Sequence, residues 1–153
     1  MSSFYVRSYD PYSWTSAGDG LFVLSCDIDV YLEEHDDCAT EPTKLVHFHV
    51  SRGATWDGAS IPKPFRWYLP NIDESNLVYT LAGLLHDSCY ASECLSKALA
   101  DDLFRGVMRD AGIPRRKASF ACWCVQHFAD RHYGQKHDSH NLRNYVDMER
   151  LDA

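Results

Sequence analysis

The spacing of hydrophobic residues changes once along this chain, and that change limits the folds the chain can form. Within residues 1–55, apolar and polar side chains alternate at 22–32 and 45–51, which is typical of half-buried β-strands. After residue 76, apolar residues recur every three or four positions, which predicts helices. We therefore predict an α+β fold, in which N-terminal antiparallel strands pack on a C-terminal three-helix segment.

Start and stop signals divide the second half into three helices. The first is predicted over 76–91, capped by Asp73 or Ser75, and the third over 115–133. The second begins after Ser96 and ends at Gly112-Ile113-Pro114. Because the connection between the first two helices is short, they are expected to be antiparallel neighbours.

The chain has 153 residues, which is the length of a single domain. Glycines and prolines in 56–75 prevent long regular structure, yet this loop is apolar and is expected to be rigid. Its aromatic residues either hold the loop by packing or form a rim that meets a substrate or a membrane interface. They are Trp56, Phe65, Trp67 and Tyr68. Residues 76–134 form the helical part, and the polar tail at 135–153 is expected to be a surface appendage.

The composition disfavours several classes of protein. A formal net charge of −7 argues against a nucleic-acid binder, which needs a concentrated basic surface. The basic cluster at 115–117 is expected to be a solvated helix face. Neither a signal peptide nor a membrane-spanning segment is predicted. The six cysteines form no CxxC pair, so we expect reduced thiols rather than a structural zinc site.

A histidine and two aspartates on the first two helices are the strongest candidates for a functional site. His86 and Tyr90 share one helix face, and Asp87 lies on the adjoining flank. Asp101 is expected to face inward among apolar residues, which is costly unless the carboxylate is paired. We therefore expect Asp101 to meet His86 across the helix interface and to fix its tautomer, so that His86 can remove a proton from water.

Asp87 is a candidate ligand of a divalent cation. A hard cation such as Ca²⁺ needs several oxygen ligands, and the stiff turn at 57–62 could supply backbone carbonyls. The alternative is that His86 and Asp101 form a satisfied buried pair without a catalytic role. Such a pair would not explain the adjacent Asp87 or the stiff turn.

The remaining histidines have weaker interpretations. His47 and His49 point to the same side of a predicted strand, either as metal ligands or as ordinary solvent-facing residues. Four further histidines lie late in the third helix and in the tail, where a solvated position is expected, although His132 could join a site. They are His127, His132, His137 and His140.

Four motifs follow one another between residues 55 and 134. They are DGASIP at 57–62, HDxxY at 86–90, KxxAD at 97–101 followed by Phe104, and Gly112-Ile113-Pro114. In this order they resemble a family of small, largely phage- and prophage-encoded proteins of unknown function. The resemblance implies a protein of the host cytoplasm or the virion, with other virion proteins among its partners.

A second resemblance bears on mechanism. His86-Asp87-Ser88-Cys89-Tyr90 resembles the HDxCY signature of secreted phospholipases A2, and Ala100-Asp101 followed by Phe104 resembles the AD element of the parvoviral capsid phospholipase domain. This chain has Ala100 where those lipases carry the disulfide partner of Cys89. It also lacks their usual glycine-rich calcium loop.

The lipase resemblance assigns a role to each matched residue. It implies that His86 is the general base, that Asp101 orients His86, and that Tyr90 supports Asp101. Asp87 would be the calcium ligand, and the DGASIP turn would replace the calcium loop and supply an oxyanion donor. The turn residues concerned are Asp57, Gly58 and Ala59, with Ser60 and Lys97 as supporting residues.

These expectations converge on a calcium-dependent, phospholipase A2-like hydrolase that acts on membrane phospholipids during phage entry or release. Two alternatives remain. One is a structural virion or tail-associated protein whose metal or polar site is not catalytic. The other is a zinc-dependent cell-wall hydrolase that uses His86, Asp87 and a further histidine.

Overall fold

The computed structural model describes residues 2–18, 20–37, 39–128 and 142–153, and it confirms an α+β fold. Seven strands and three α-helices are present among these residues. In chain order they are β1 (Ser3–Tyr9), β2 (Trp14–Gly18), β3 (Leu21–Leu24), β4 (Ile28–His35), β5 (Lys44–Val50), β6 (Thr55–Trp56), α1 (Leu77–Ser92), α2 (Lys97–Asp110), α3 (Arg115–Phe128) and β7 (Val146–Asp152). Short 3₁₀ helices lie at Lys63–Phe65 and Leu142–Tyr145.

The main sheet is antiparallel, with the strand order β1-β4-β5-β7. Alternate residues of β4 and β5 enter the core, as the period-two pattern predicts. Helix α2 packs on β1 at Gly106, where a side chain would collide with the backbone oxygen of Phe4, and α1 and α3 pack on α2.

The strand predicted over 22–32 is two strands in different sheets. Leu21–Leu24 belongs to a small sheet with the order β2-β3-β6, and Ile28–His35 belongs to the main sheet. The chain bends between them, where the Asp27 carboxylate accepts a hydrogen bond from the Arg52 backbone N–H at 2.7 Å. A bond between residues 25 positions apart leaves no mark on the apolar–polar alternation, so alternation alone does not reveal the bend.

The end of the chain is part of the sheet, so the expected surface appendage is wrong for residues 142–153. β7 pairs with β5 from Val50↔Val146 to Lys44↔Asp152. Arg150 of β7 reaches the fully buried Glu34 of β4 with two hydrogen bonds of 2.6 and 2.8 Å. The strand was missed because most of its side chains are exposed and polar.

The helix boundaries largely follow the predicted signals. Ser96 caps α2 by accepting a hydrogen bond from the Leu99 N–H, as predicted. The first helix is capped by Asn76, which accepts from the Tyr79 N–H at 3.0 Å, rather than by Asp73 or Ser75. α3 is described as far as Phe128, and the predicted continuation to 133 lies outside the described residues. No described helix is both long enough and apolar enough to cross a membrane.

Candidate functional site

A cluster of polar side chains is buried where α1 packs on α2. His86 Nε2 lies 2.9 Å from Asp101 Oδ1, and the Tyr90 hydroxyl donates to the same oxygen at 2.9 Å. Lys97 Nζ lies 3.3 Å from Asp101 Oδ2. His86, Tyr90 and Lys97 therefore all contact the carboxylate of Asp101. The predicted meeting of His86 and Asp101 across the helix interface is confirmed.

The His86 ring contacts two aromatic rings and is almost completely enclosed, with 1% of the residue's surface exposed. Its centroid lies 4.2 Å from that of Tyr90 and 5.1 Å from that of Phe104. Because a carboxylate oxygen only accepts, Nε2 carries the hydrogen of the His86–Asp101 bond. A neutral ring then presents Nδ1 as its acceptor, which is the atom that could take a proton from water.

Asp101 is an ionised carboxylate at neutral pH. Burial has the largest effect on its pKa and raises it, since an apolar environment disfavours charge. The hydrogen bonds from His86 and Tyr90, together with the charges of His86 and Lys97, outweigh burial. The pKa of Asp101 therefore lies below its ordinary value of 3.8.

Asp87 faces the turn that carries the DGASIP motif. Its Oδ2 atom lies 3.3 Å from the backbone N–H of Asp57, and the side chain is buried. The Ser60 hydroxyl is 3.4 Å from Asp57 Oδ1, so it contacts the second carboxylate of this region. The structure thus places the Asp87 carboxylate against the backbone of Asp57.

Asn71 holds the DGASIP turn in shape, and the sequence analysis missed it. Its side-chain amide donates to the Asp57 carbonyl at 2.6 Å and accepts from the Ile61 N–H at 3.0 Å. The backbone carbonyl of Asn71 accepts a hydrogen bond from the Ala59 N–H at 2.8 Å. Because the amides of Ala59 and Ile61 are engaged in this way, neither is directed at a substrate in this conformation. The sequence feature that could have indicated this role is that Asn71 is a single amide side chain within an apolar stretch.

Backbone conformation in the turn explains the choice of glycine. Gly58 has a φ of +82°, and a Cβ there would lie 2.5 Å from the Asn71 carbonyl oxygen. Ser60 also has a positive φ, of 61°, which costs roughly 1 kcal/mol or more for a residue other than glycine. Strain of this kind is retained where the surrounding contacts over-determine the backbone.

Among the residues that the structure describes, no three or more His, Cys, Asp or Glu side chains are grouped to hold a metal ion. The carboxylates of Asp57 and Asp87 and the backbone carbonyls of the turn are the oxygen atoms that the sequence motifs offer for a cation. A set made of carboxylates and backbone carbonyls is of the kind that Ca²⁺ prefers.

The two histidines of β5 lie on the outer face of the main sheet. His47 Nε2 and His49 Nδ1 both contact Asp29 Oδ1, at 2.7 and 2.9 Å. The hydrogen bond to Asp29 raises the pKa of His49. His127 is exposed on α3 and contacts Trp123, whereas His132, His137 and His140 lie outside the described residues.

The aromatic residues of the 56–75 loop have different environments. Trp56 is fully buried in the core, and Phe65 and Tyr68 are partly buried against Phe120. Trp67, by contrast, is 83% exposed. The packing interpretation therefore holds for Trp56, Phe65 and Tyr68, and the rim interpretation stays a prediction for Trp67. The cysteines within the described part of the chain are free thiols, and Cys38 lies outside it.

Comparison with known proteins identifies one family. A model for the family described as "Protein of unknown function (DUF1353)" matches residues 32–125, which include the DGASIP turn, α1, α2 and most of α3. No curated protein matches the chain. No solved structure matches it either.

Proposed function

The chain belongs to this family of unknown function, and we propose that it is a calcium-dependent hydrolase of the phospholipase A2-like type that cleaves esters of membrane phospholipids. One observation carries the proposal. A histidine bonded through Nε2 to a buried aspartate lies on the same helix as a carboxylate that faces a stiff turn. In a phage, such an activity would serve to breach a membrane during entry or release.

Each residue has a defined task in this proposal. His86 Nδ1 takes a proton from a water molecule while the water oxygen attacks the ester carbonyl carbon. The ester C–O bond then breaks, and the proton passes from His86 to the leaving oxygen. Asp101 orients the ring and stabilises its charged form, and Tyr90 and Lys97 hold Asp101 in place.

The cation would be held by Asp87 and Asp57, together with backbone carbonyls of the turn around Gly58 and Ala59. A calcium ion bound there would stabilise negative charge on the ester oxygen. Ser60 contributes by contacting Asp57.

The enclosure of the His86 ring favours a second candidate. A side chain with 1% exposure meets substrate only after neighbouring groups move. In the second candidate the cluster serves only to join α1 to α2, and the protein is a structural component of a virion or tail. The two candidates make opposite predictions about turnover.

Release of fatty acid from phospholipid vesicles, measured with Ca²⁺ and with a chelator, tests the proposal. We expect calcium-dependent release that falls by about 10²-fold or more in His86→Gln, since general-base catalysis contributes at least this much. His47→Gln is the matched control, because His47 lies on the outer face of the sheet. Asp87→Asn should weaken the response to Ca²⁺. Absence of turnover in the unaltered protein, with His86→Gln less stable to heat, would support the structural candidate instead.

A further inference from the structure

A surface rich in aromatic and basic residues is formed by the loop after the DGASIP turn and the outer side of α3. Its most exposed large apolar side chain is Trp67 at 83%, followed by Trp123 at 44%. This aromatic–basic surface consists of Lys63, Phe65, Arg66, Trp67, Tyr68, Arg116, Lys117, Phe120 and Trp123. Both the loop and α3 therefore expose a large aromatic side chain on this surface.

The loop and the helix form one continuous surface through Phe120. The Phe120 ring lies 5.4 Å from Phe65, 5.3 Å from Tyr68 and 6.2 Å from Trp123, between ring centroids. Lys117 Nζ lies 5.1 Å from the Tyr68 centroid. These contacts bring the aromatic rings of the loop and of α3 together, so the apolar groups form one patch.

Charge is segregated on this surface. The charged members of this surface are Lys63, Arg66, Arg116 and Lys117, and segments 58–72 and 111–128, which supply all its residues, contain no aspartate or glutamate. The whole chain has a net charge of −7, so the carboxylates are concentrated elsewhere. A binding partner that matches this surface must therefore be both apolar and anionic.

We propose that the aromatic–basic surface binds the surface of an anionic phospholipid bilayer, with Trp67 and Trp123 inserted at the headgroup level. Tryptophan and tyrosine prefer the membrane–water interface, and basic side chains gain from anionic headgroups. Arg66 Nε donates to the Ile61 carbonyl at 2.9 Å, which joins this surface to the DGASIP turn. A bound bilayer would therefore lie next to the proposed site. The inference rests on the proposed hydrolase for its purpose, although its test does not need turnover.

Sedimentation with vesicles tests the binding. Vesicles of equimolar phosphatidylcholine and phosphatidylglycerol are compared with vesicles of phosphatidylcholine alone. We expect binding mainly to the anionic vesicles, and weaker binding as NaCl is raised. The double variant Lys63→Glu/Arg116→Glu should lower the partition coefficient by about ten-fold or more, because each basic residue near such a surface contributes.

Matched variants on the main sheet control for general effects. Arg7→Glu/Lys44→Glu changes the net charge equally, and it should bind as the unaltered protein does. Trp67→Ala/Trp123→Ala should also lower binding about ten-fold, through lost apolar contact. Leu151→Ala removes an exposed apolar side chain from β7, and it should not lower vesicle binding. Equal binding by surface and control variants would overturn the proposal.

Other partners give distinguishable results. If a single-stranded oligonucleotide binds with the same sensitivity to these variants and the vesicles do not bind, the surface recognises nucleic acid and the proposal is wrong. If Trp67→Ala/Trp123→Ala only converts a dimer to a monomer, a second copy covers the surface. His86→Gln should bind vesicles normally. Normal vesicle binding without any fatty-acid release would therefore contradict the hydrolase proposal and leave this one standing.

Discussion

Gly83 of α1 lies directly against Gly58 of the DGASIP turn, so closely that a Cβ at Gly83 would come within 2.5 Å of the Gly58 carbonyl oxygen. The contact lets the turn rest on the helix one turn before His86. Asp87 then faces the turn, at 3.3 Å from the Asp57 N–H. The distance between the buried histidine and the stiff turn is therefore set by the absence of a side chain at position 83.

Gly83→Ala should push the turn away from α1. We expect a loss of about 2 kcal/mol in the free energy of unfolding, despite the higher helix propensity of alanine, because the added methyl meets backbone. Hydrogen exchange at the amides of Ala59 and Ile61 should become faster. Gly106→Ala is the matched control, since its methyl would meet the Phe4 backbone instead. If both variants accelerate exchange in the turn equally, Gly83 has no specific role there.

Asn71→Ala should destabilise the protein more than an ordinary amide substitution. It removes the hydrogen bonds that Asn71 makes to the Asp57 carbonyl and the Ile61 N–H, and losing such a bond in a buried place costs about 1–3 kcal/mol. Asn76→Ala, which removes the cap of α1, should cost about 1 kcal/mol. Urea unfolding with an unchanged slope would measure both. Equal losses would show that the Asn71 bonds do not hold the turn.

Asp101 should make stability depend on pH in the acid range. Its pKa is lower in the folded chain than its ordinary value of 3.8, so its ionised form favours folding. This contribution is fully present above pH 3.8 and is lost as the pH falls through the lower, folded value. The free energy of unfolding should therefore decrease less steeply with acid in Asp101→Asn.

Asp102→Asn is the control for this acid dependence. Burial raises the pKa of Asp102, so its charge opposes folding at neutral pH, and its removal should not reproduce the effect of Asp101→Asn. Identical acid profiles for the two variants would contradict the assignment of the favourable charge to Asp101.

Cys94 should be the most reactive thiol among the described cysteines near neutral pH. The hydrogen bond from the Cys89 thiol has the largest effect and, despite partial burial, lowers the pKa of Cys94 to about 7. The rate of alkylation by iodoacetamide, followed at Cys94 by peptide mass spectrometry, should rise with a midpoint near pH 7. In Cys89→Ala the midpoint should move toward 9.0, the ordinary value. An unchanged midpoint would refute this role of Cys89.

The sequence predicts the helical half of the site well because helices have a fixed period. Once 76–91 and the segment after Ser96 are recognised as antiparallel neighbours, the facing of His86 and Asp101 follows from the 3.6-residue repeat. The approach of the turn to Asp87 is predicted from the number of oxygen ligands that a hard cation needs, and not from helix geometry.

Long-range backbone contacts account for what was missed. Asn71 acts through hydrogen bonds to residues 10 and 14 positions away, which no local pattern contains. β7 carries few buried side chains, and its place beside β5 depends on backbone pairing across nearly a hundred residues of chain. The break between β3 and β4 lies where the Asp27 carboxylate accepts a hydrogen bond from the backbone N–H of Arg52, 25 positions further along the chain.

The position of β7 makes the helical region an insertion within the sheet rather than a second half appended to it. A ribosome releases β1, β4 and β5 first, and β5 then presents an open edge of backbone N–H and C=O groups until residues 146–152 emerge. A fragment that stops after α3 would keep that edge exposed, and strand edges of this kind pair with other chains. Shortened versions of this protein should consequently aggregate even though every helix is intact.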